Sequence, residues 1–352
     1  MLKRLLVVAG VIIGLVVVFL LFITIAEYRP QDQENAIVIK DGQSVSENVS
    51  SLSLVTWNIG YAGLDKDTDF VLDGGTMGCP RSQEAVEEAM SGISDTLAML
   101  NSDVYILQEV DRSSSRTGKI DEADRISSLF SDHDAYFAPN YKALIVPFPL
   151  SDPIGKVDSG ILTLSEYNTD TAVRWQLPGY YDWPVRTIHL KRCALETRIP
   201  STTPGIDWVI LNVHLTAYGD GSMRVEQLAF LKEMMNKYYN EGHYVIIGGD
   251  WNSLFPGVTK EQFGSYTTVE ENLGWLQAIP DSWTPEGWQW AFDMDVPTCR
   301  TLDDSFVPGE NLVCLIDGFL VSPNVSIDRV IGHNIGFEHS DHNPVSMEVS
   351  IK

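Results

Sequence analysis

The sequence predicts one α/β domain of about 300 residues with two sheets packed face to face, held behind a single N-terminal membrane helix. Three observations predict it. Short β-branched runs alternate with helical stretches from residue 51 onward, no period of 20 to 50 residues recurs, and one long apolar run stands apart at the start. The composition agrees: 44% hydrophobic and 10% aromatic residues in a chain of 352 describe a globular core and exclude a disordered chain. The formal net charge of −24 disfavours a protein that clamps long duplex nucleic acid on a basic face.

Residues 1–4 end in Lys3 and Arg4, and Leu5 to Ala26 then carry no charge over 22 residues. At about 1.5 Å per residue this run reaches roughly 33 Å as a helix, enough to cross a bilayer core. A cleaved signal peptide is the competing reading, but Thr24-Ile25-Ala26 matches a small-x-small cleavage site poorly. Lys3 and Arg4 before the span and Glu27 after it predict a cytoplasmic N-terminus and an exported domain; Arg29 is the residue that speaks against it. Residues 27–50 are polar and read as a tether, with Ala36-Ile37-Val38-Ile39 as a candidate edge strand. The first fifty residues hold four basic and five acidic side chains, leaving 20 against 43, a charge of −23, on residues 51–352.

Within 51–352, strands are predicted at Leu52–Trp57, Val104–Gln108, Ile161–Leu164, Trp208–Leu215, Tyr244–Ile247, Leu315–Val321 and Val345–Ile351. Helices are predicted at Gln83–Leu100, from apolar Val86, Met90, Ile93, Leu97 and Leu100, and at Val225–Tyr239. Polar residues recur where these strands stop: Asn58, Gln108-Glu109, His214, Asp250-Trp251-Asn252, and Ser340-Asp341-His342-Asn343 before the last strand. Each alone is most often a turn former or a structural histidine. Together they predict a crevice at one sheet edge, where α/β folds place ligands.

The blocks Thr56-Trp57-Asn58-Ile59-Gly60, Gln108-Glu109, Asn212-Val213-His214-Leu215, Gly249-Asp250-Trp251-Asn252, Ile316-Asp317-Gly318-Phe319 and Ser340-Asp341-His342-Asn343-Pro344 occur in this order. In this the chain resembles the endonuclease/exonuclease/phosphatase superfamily, which includes pancreatic-type deoxyribonucleases, abasic-site endonucleases, neutral sphingomyelinases and inositol polyphosphate 5-phosphatases. The resemblance implies a four-layer α/β sandwich, two mixed sheets flanked by helices, and a divalent-metal-dependent phosphoester hydrolase. It also places Asp250 near the attacking water and makes Asp317 an aspartate that orients its neighbours.

Phosphoester hydrolysis needs charge on the phosphate neutralised, a water activated and a leaving oxygen assisted. Glu109 and Asp341, with Asn58 through its amide oxygen or a bound water, are the expected Mg²⁺ ligands, with Mn²⁺ or Ca²⁺ as substitutes; hard oxygen donors suit such ions. His342 is the expected general base or phosphate-facing acid, its tautomer fixed by Asp250 or Asp317. His214 is expected to face the phosphate from the opposite side. Asn252 is expected beside Asp250 on one face of an extended segment, bonding a phosphate oxygen. Arg192 is a possible substrate contact, set evenly against a solvated Lys191-Arg192 pair. His339 reads as a loop residue.

Asp65 to Gly75 reads as a loop flanking the site, since its acids lack the terminal Glu of a Ca²⁺ loop. Asp158-Ser159-Gly160 stands where many relatives carry Gly-Asn. Trp175 with Tyr180-Tyr181-Asp182-Trp183, and Trp283 with Trp288-Gln289-Trp290, either rim the site or meet lipid, with core filling expected for at least half of them. Cys79, Cys193, Cys299 and Cys314 show no CxxC, which argues against zinc; a Cys299–Cys314 bridge and free buried thiols stand level. The expected function is a membrane-anchored, extracytoplasmic phosphoesterase acting on a lipid headgroup or small phosphorylated molecule, with the membrane as partner and no obligate protein partner. An exported nuclease, separable by plasmid cleavage, and an inactive phosphate-binding relative, separable by binding without turnover, are the alternatives.

Overall fold

The computed structural model describes residues 1–45, 48–264 and 273–352. The chain begins with α1 (Leu2–Ile25), β1 (Gln33–Asn35), β2 (Ile37–Lys40), β3 (Ser51–Asn58), α2 (Gln83–Leu100), β4 (Val104–Asp111) and α3 (Glu122–Ser127). There follow β5 (Asp134–Val146), β6 (Gly155–Ser165), β7 (Thr171–Gln176), β8 (Cys193–Pro200), β9 (Asp207–His214), α4 (Ser222–Asn240) and β10 (Tyr244–Asp250). The last strands are β11 (Gln289–Ala291), β12 (Cys299–Arg300), β13 (Val313–Cys314), β14 (Asp317–Val321), β15 (Val325–Gly332) and β16 (Val345–Ile351).

Two mixed seven-stranded sheets result, one ordered β1-β7-β8-β9-β10-β14-β11 and the other β15-β16-β3-β4-β6-β5-β2. Each has a central parallel pair, β9 with β10 and β3 with β4, joined by a helical crossover through α4 or α2. The apolar runs of these strands are continuous rather than alternating because both faces are covered. In β3, Leu52 and Leu54 point into the core between the sheets, whereas Val55 and Trp57 meet α2 residues Val86, Met90 and Ile93. In β9, Trp208 and Ile210 face the same inter-sheet core, and Val209, Leu211 and Val213 meet α4 residues Leu228, Leu231 and Met235. The layers are therefore helix, sheet, sheet, helix. Asn212 and Gln108 clip the sheets together: Gln108 Nε2 donates to Asn212 Oδ1 at 2.8 Å, and Asn212 Nδ2 donates to the carbonyls of Leu107 and Leu162.

α1 is long and apolar enough to cross a membrane, with a mean hydropathy of 3.4. Part of the polar 27–50 segment, read as a tether with a candidate edge strand, is in strands. β1 pairs with β7 and β2 with β5, so residues 33–40 add an edge to each sheet; the apolar Ile37-Val38-Ile39 run signals only the second edge, and polar β1 adds to its backbone pairing an ion pair of Glu34 with its cross-strand partner Arg174 at 3.6 Å.

Of the aromatic residues, Trp283 and Trp290 pack around fully buried Trp251, and Trp288 is buried against Tyr239. Half-buried Trp175 donates to Glu196 at 2.7 Å, whereas Tyr180 and Trp183 are exposed. All four cysteines are free thiols; Cys299 and Cys314 are direct cross-strand partners on β12 and β13.

Candidate active site

The parallel strands β3 and β4, and β9 and β10, all point their C-terminal ends to one edge of the sandwich, while β14 and β16 run antiparallel and start there. Register does the rest. Asp250 is the parallel partner of His214 and the antiparallel partner of Asp317. Gly249 is required beside them: its φ is +147°, and a Cβ there would stand 1.9 Å from the Val213 carbonyl oxygen. The 340–342 loop is pinned to β3, since Ser340 Oγ donates to the Asn58 carbonyl at 2.7 Å and Trp57 Nε1 to the His342 carbonyl at 2.8 Å.

A cavity of about 570 Å³ opens at this edge, and Asn58, Glu109, Arg192, His214, Asp250, Asn252, Asp341 and His342 all line it. Asp317 does not; it lies fully buried behind His342. Of the two partners expected for His342, the geometry selects Asp317: Oδ2 lies 2.8 Å from Nδ1, whereas Asp250 Oδ2 stands 3.9 Å from Nε2. Asp250 Oδ2 is instead shared by His214 Nε2 at 3.2 Å and Asn58 Nδ2 at 3.1 Å.

Two expectations about orientation are corrected. Asn252 is not on an extended segment; its φ is +48°, its N–H donates to Asp250 Oδ1 at 2.9 Å and its Nδ2 to the Leu215 carbonyl at 2.9 Å. It reaches the cavity through a left-handed turn. The Asn58 amide oxygen accepts from the Gly60 N–H at 3.1 Å, so it is the NH₂ end that faces Glu109 and Asp250. Glu109 owes its exposure to the cavity to a bulge: the β4–β6 register shifts between Leu107 and Val110, and Glu109 has φ +53°.

The charges are poorly compensated. Burial lifts the Asp341 carboxyl to about 7, with Glu109 adding repulsion against the pull of His342. Burial likewise lifts Asp250 to about 6, aided by Asp317. Burial works against a charged His342, but Asp317, Cys299 and Asp341 outweigh it and hold the imidazole well above its usual pKa. Burial, with Arg192 and His342 beside it, keeps His214 well below, and its Nδ1 is buried without a partner. Arg192 is 7% exposed, and its Nη1 has no hydrogen-bond partner. Its neighbour Lys191 turns away to Glu27 at 3.2 Å, so the pair is not a solvated one.

This donor set fits a divalent cation. Asp341 and Glu109 offer hard oxygens with no close cation among the described residues; the nearest is the His342 Nε2 at 3.9 Å from Asp341. Asp250, Asp317 and His342 form a second group, with ligand atoms within 4.8 Å of one another. In that group His342 Nδ1 is taken by Asp317 Oδ2, a hydrogen-bonded relay, while Asp317 Oδ1 is buried without a partner.

Sequence reasoning missed several wall residues. Tyr218 donates to Asp73 Oδ2 at 3.2 Å, carrying the 65–75 loop to the cavity, where Phe70, Val71 and Leu72 also line the wall. The other acids of that loop act locally: Asp65 accepts from the Asp67 N–H and pairs with Arg81, and Asp69 accepts from Thr76 and Met77. His189 lines the cavity against Tyr181, its pKa lowered to about 4 by burial and then by Arg192. Ser159 faces the cavity beside Asn140, which β5 contributes at a bulge opposite it. His339 is a half-buried loop residue whose ring fills the space that a side chain at Gly92 would need.

Solved structures share the architecture. An endonuclease/exonuclease/phosphatase from Beutenbergia cavernae aligns with a TM-score of 0.58 at 19% identity, covering 86% of this chain and 72% of that one. Truncated Caenorhabditis elegans TDP2 gives 0.52 at 16%, covering 85% and 97%. The human nocturnin catalytic domain, solved with a bound sulfate anion, gives 0.52 at 15%, covering 88% and 96%. No curated protein matches the sequence. The family assignment rests on the sequence itself: the model of the Endonuclease/Exonuclease/phosphatase family matches residues 55–342, from inside β3 to His342, and the chain belongs to that family of metal-dependent phosphoester hydrolases.

Proposed function

We propose that this phosphoester hydrolase is Mg²⁺-dependent and works from a membrane anchor on the extracytoplasmic side, cleaving a lipid headgroup or a small phosphorylated molecule. One observation carries the substrate reading: Arg192, buried in the wall of the cavity that Glu109, Asp250 and Asp341 also line, has an unpartnered Nη1. A buried guanidinium left without an acceptor is costly and suits an anion that arrives with the substrate. The sulfate bound in nocturnin is in keeping with an anion site in this fold. Walls from residues 64–74 and 301–303 enclose the cavity, which suits a compact phosphoester better than a long polyanion meeting a domain of charge −23.

Glu109 and Asp341, with Asn58 beside them, would hold the cation, which would neutralise phosphate charge and favour an ionised water there. His342, held protonated by Asp317, donates from Nε2 to a phosphate or leaving oxygen. Asp250 accepts from His214 and Asn58 and, with its raised pKa, is placed to take a proton from water. Neutral His214 orients Asp250. Asn252 spends one amide hydrogen on Leu215 and keeps the other for a phosphate oxygen.

The full-length protein in detergent should hydrolyse bis(p-nitrophenyl) phosphate, and a panel of phospholipids and phosphorylated metabolites, with Mg²⁺. It should lose activity with chelator and in Glu109→Ala. Activity indifferent to both changes sinks the Mg²⁺ reading, and plasmid DNA as the only substrate cleaved sinks the small-substrate one. Protease added outside intact cells should degrade the domain; protection reverses the topology.

A further inference from the structure

The last turns of α1 are not bare. Upstream, Val11 to Val18 are exposed, as a lipid-facing helix would be, but Phe19 and Leu20 are half-buried and Ile23 is only 5% exposed. The cover comes from the domain. Trp183 Nε1 donates to Thr24 Oγ1 at 3.0 Å, and just past the span Glu27, its side chain 4% exposed, lies 3.2 Å from Lys191 and 3.5 Å from Arg186. Thr24 lies inside the last turn of α1, so the Trp183 that bonds it must sit at the membrane boundary wherever α1 crosses.

Around that surface the domain shows apolar side chains. Tyr180, Trp183 and Val185 are each about half-exposed on the turn that covers α1, and Trp and Tyr are the residues that favour a bilayer interface. Beside them the β5–β6 hairpin presents Leu144, Ile145, Phe148 and Leu150, the last 90% exposed. The two segments are neighbours, because Ile188 packs on Ala143, Val146, Ile154 and Val157 of the hairpin. An apolar patch continuous with a membrane span calls for lipid.

We propose that this face, the 180–185 turn with the tip of the β5–β6 hairpin, is seated in the interface of the bilayer that α1 crosses. The inference rests on the anchor reading above. Its consequence is for the cavity: Ile154, His189 and Leu190, which line it, lie within a few residues of the seated segments, so the seating would bring that wall of the cavity toward the lipid headgroups. That favours a phosphoester presented by the bilayer over one free in solution.

The test uses the full chain in phosphatidylcholine nanodiscs in a Cys79→Ser background, the other three thiols being buried. A single fluorescent label is placed at Phe148→Cys, Leu150→Cys or Val185→Cys, at Leu15→Cys inside the span, or at Met99→Cys, 71% exposed on α2. Lipids carrying a shallow nitroxide should quench labels at 148, 150 and 185 several-fold more than the label at 99, and lipids carrying a nitroxide deep in the acyl chain should quench the label at 15. Quenching at 15 with 148, 150 and 185 no more quenched than 99 overturns the seating while leaving the anchor intact. No quenching at 15 removes the anchor, and the seating with it.

Discussion

His342 Nδ1 lies 2.8 Å from Asp317 Oδ2, in a position where Asp317 is fully buried and does not line the site cavity. The contact fixes the Nδ1–H tautomer and leaves Nε2 as the reactive nitrogen. It is also what keeps the imidazole cationic against its own burial. Asp317→Asn preserves shape but removes the charge. The His342 pKa should then fall, and kcat should drop by roughly 10²–10⁴-fold with KM little changed. A pH–rate profile whose limb for His342 stays where it was would contradict this account.

Arg192 offers a second substitution that separates binding from folding. Burial disfavours its charge, and Glu109 and Asp250 supply only long-range compensation. Replacing it by Met removes a buried cation whose desolvation works against the fold. A charged hydrogen bond to phosphate contributes about 1.5–3 kcal/mol, so kcat/KM should fall by roughly 10–100-fold. Thermal melting should show stability held or raised. A large loss of stability would mean that Arg192 serves the fold instead.

How far these side chains were legible depends on what carries each one. Asn58, His214 and Asp250 end continuous apolar runs whose strands are parallel in pairs, so the runs themselves point to one edge. Asn252 was placed in that site by its block, but by the wrong geometry, because a strand pattern carries no sign of the left-handed turn after Trp251. Glu109 depends on a bulge whose evidence lies in the β6 register rather than in β4. Asp73, Tyr218 and His189 come from loops, where neither period nor capping announces a direction, and β1 is three polar residues long, too short to show a strand period.

The same carboxylates make a prediction about stability. Folding raises Asp341 from 3.8 to about 7 and Asp250 to about 6, so the folded state binds more protons than the unfolded one in this range. The stability tied to these groups is complete below pH 4 and is lost as pH rises through 6 and 7. A divalent cation needs the ionised carboxylates and offsets that loss. Adding Mg²⁺ in excess should therefore raise the Tm more at pH 8 than at pH 5, by calorimetry on the same sample. An equal shift at both pH values would place the cation away from Asp341 and Asp250.

Tyr218 and Asp73 clasp the 65–75 loop over the cavity, and the clasp is itself titratable. Burial raises the Asp73 carboxyl to about 6, while the Tyr218 hydroxyl, donating to Oδ2, pulls the other way by stabilising the ionised form. The bond is thus strongest above pH 6 and weakens as Asp73 takes up a proton below it. The loop carries Phe70, Val71 and Leu72 on the cavity wall, so loosening it should cost substrate binding rather than chemistry. Tyr218→Phe deletes a bond contributing about 0.5–1.5 kcal/mol, which corresponds to a KM rise of roughly 2–10-fold at pH 7.5 with kcat little changed. The wild-type KM should climb toward the Tyr218→Phe value as pH is lowered from 7.5 to 5, and the variant's KM should change less over the same interval. Parallel pH dependences in the two proteins would show that the hydroxyl and the carboxylate do not act together.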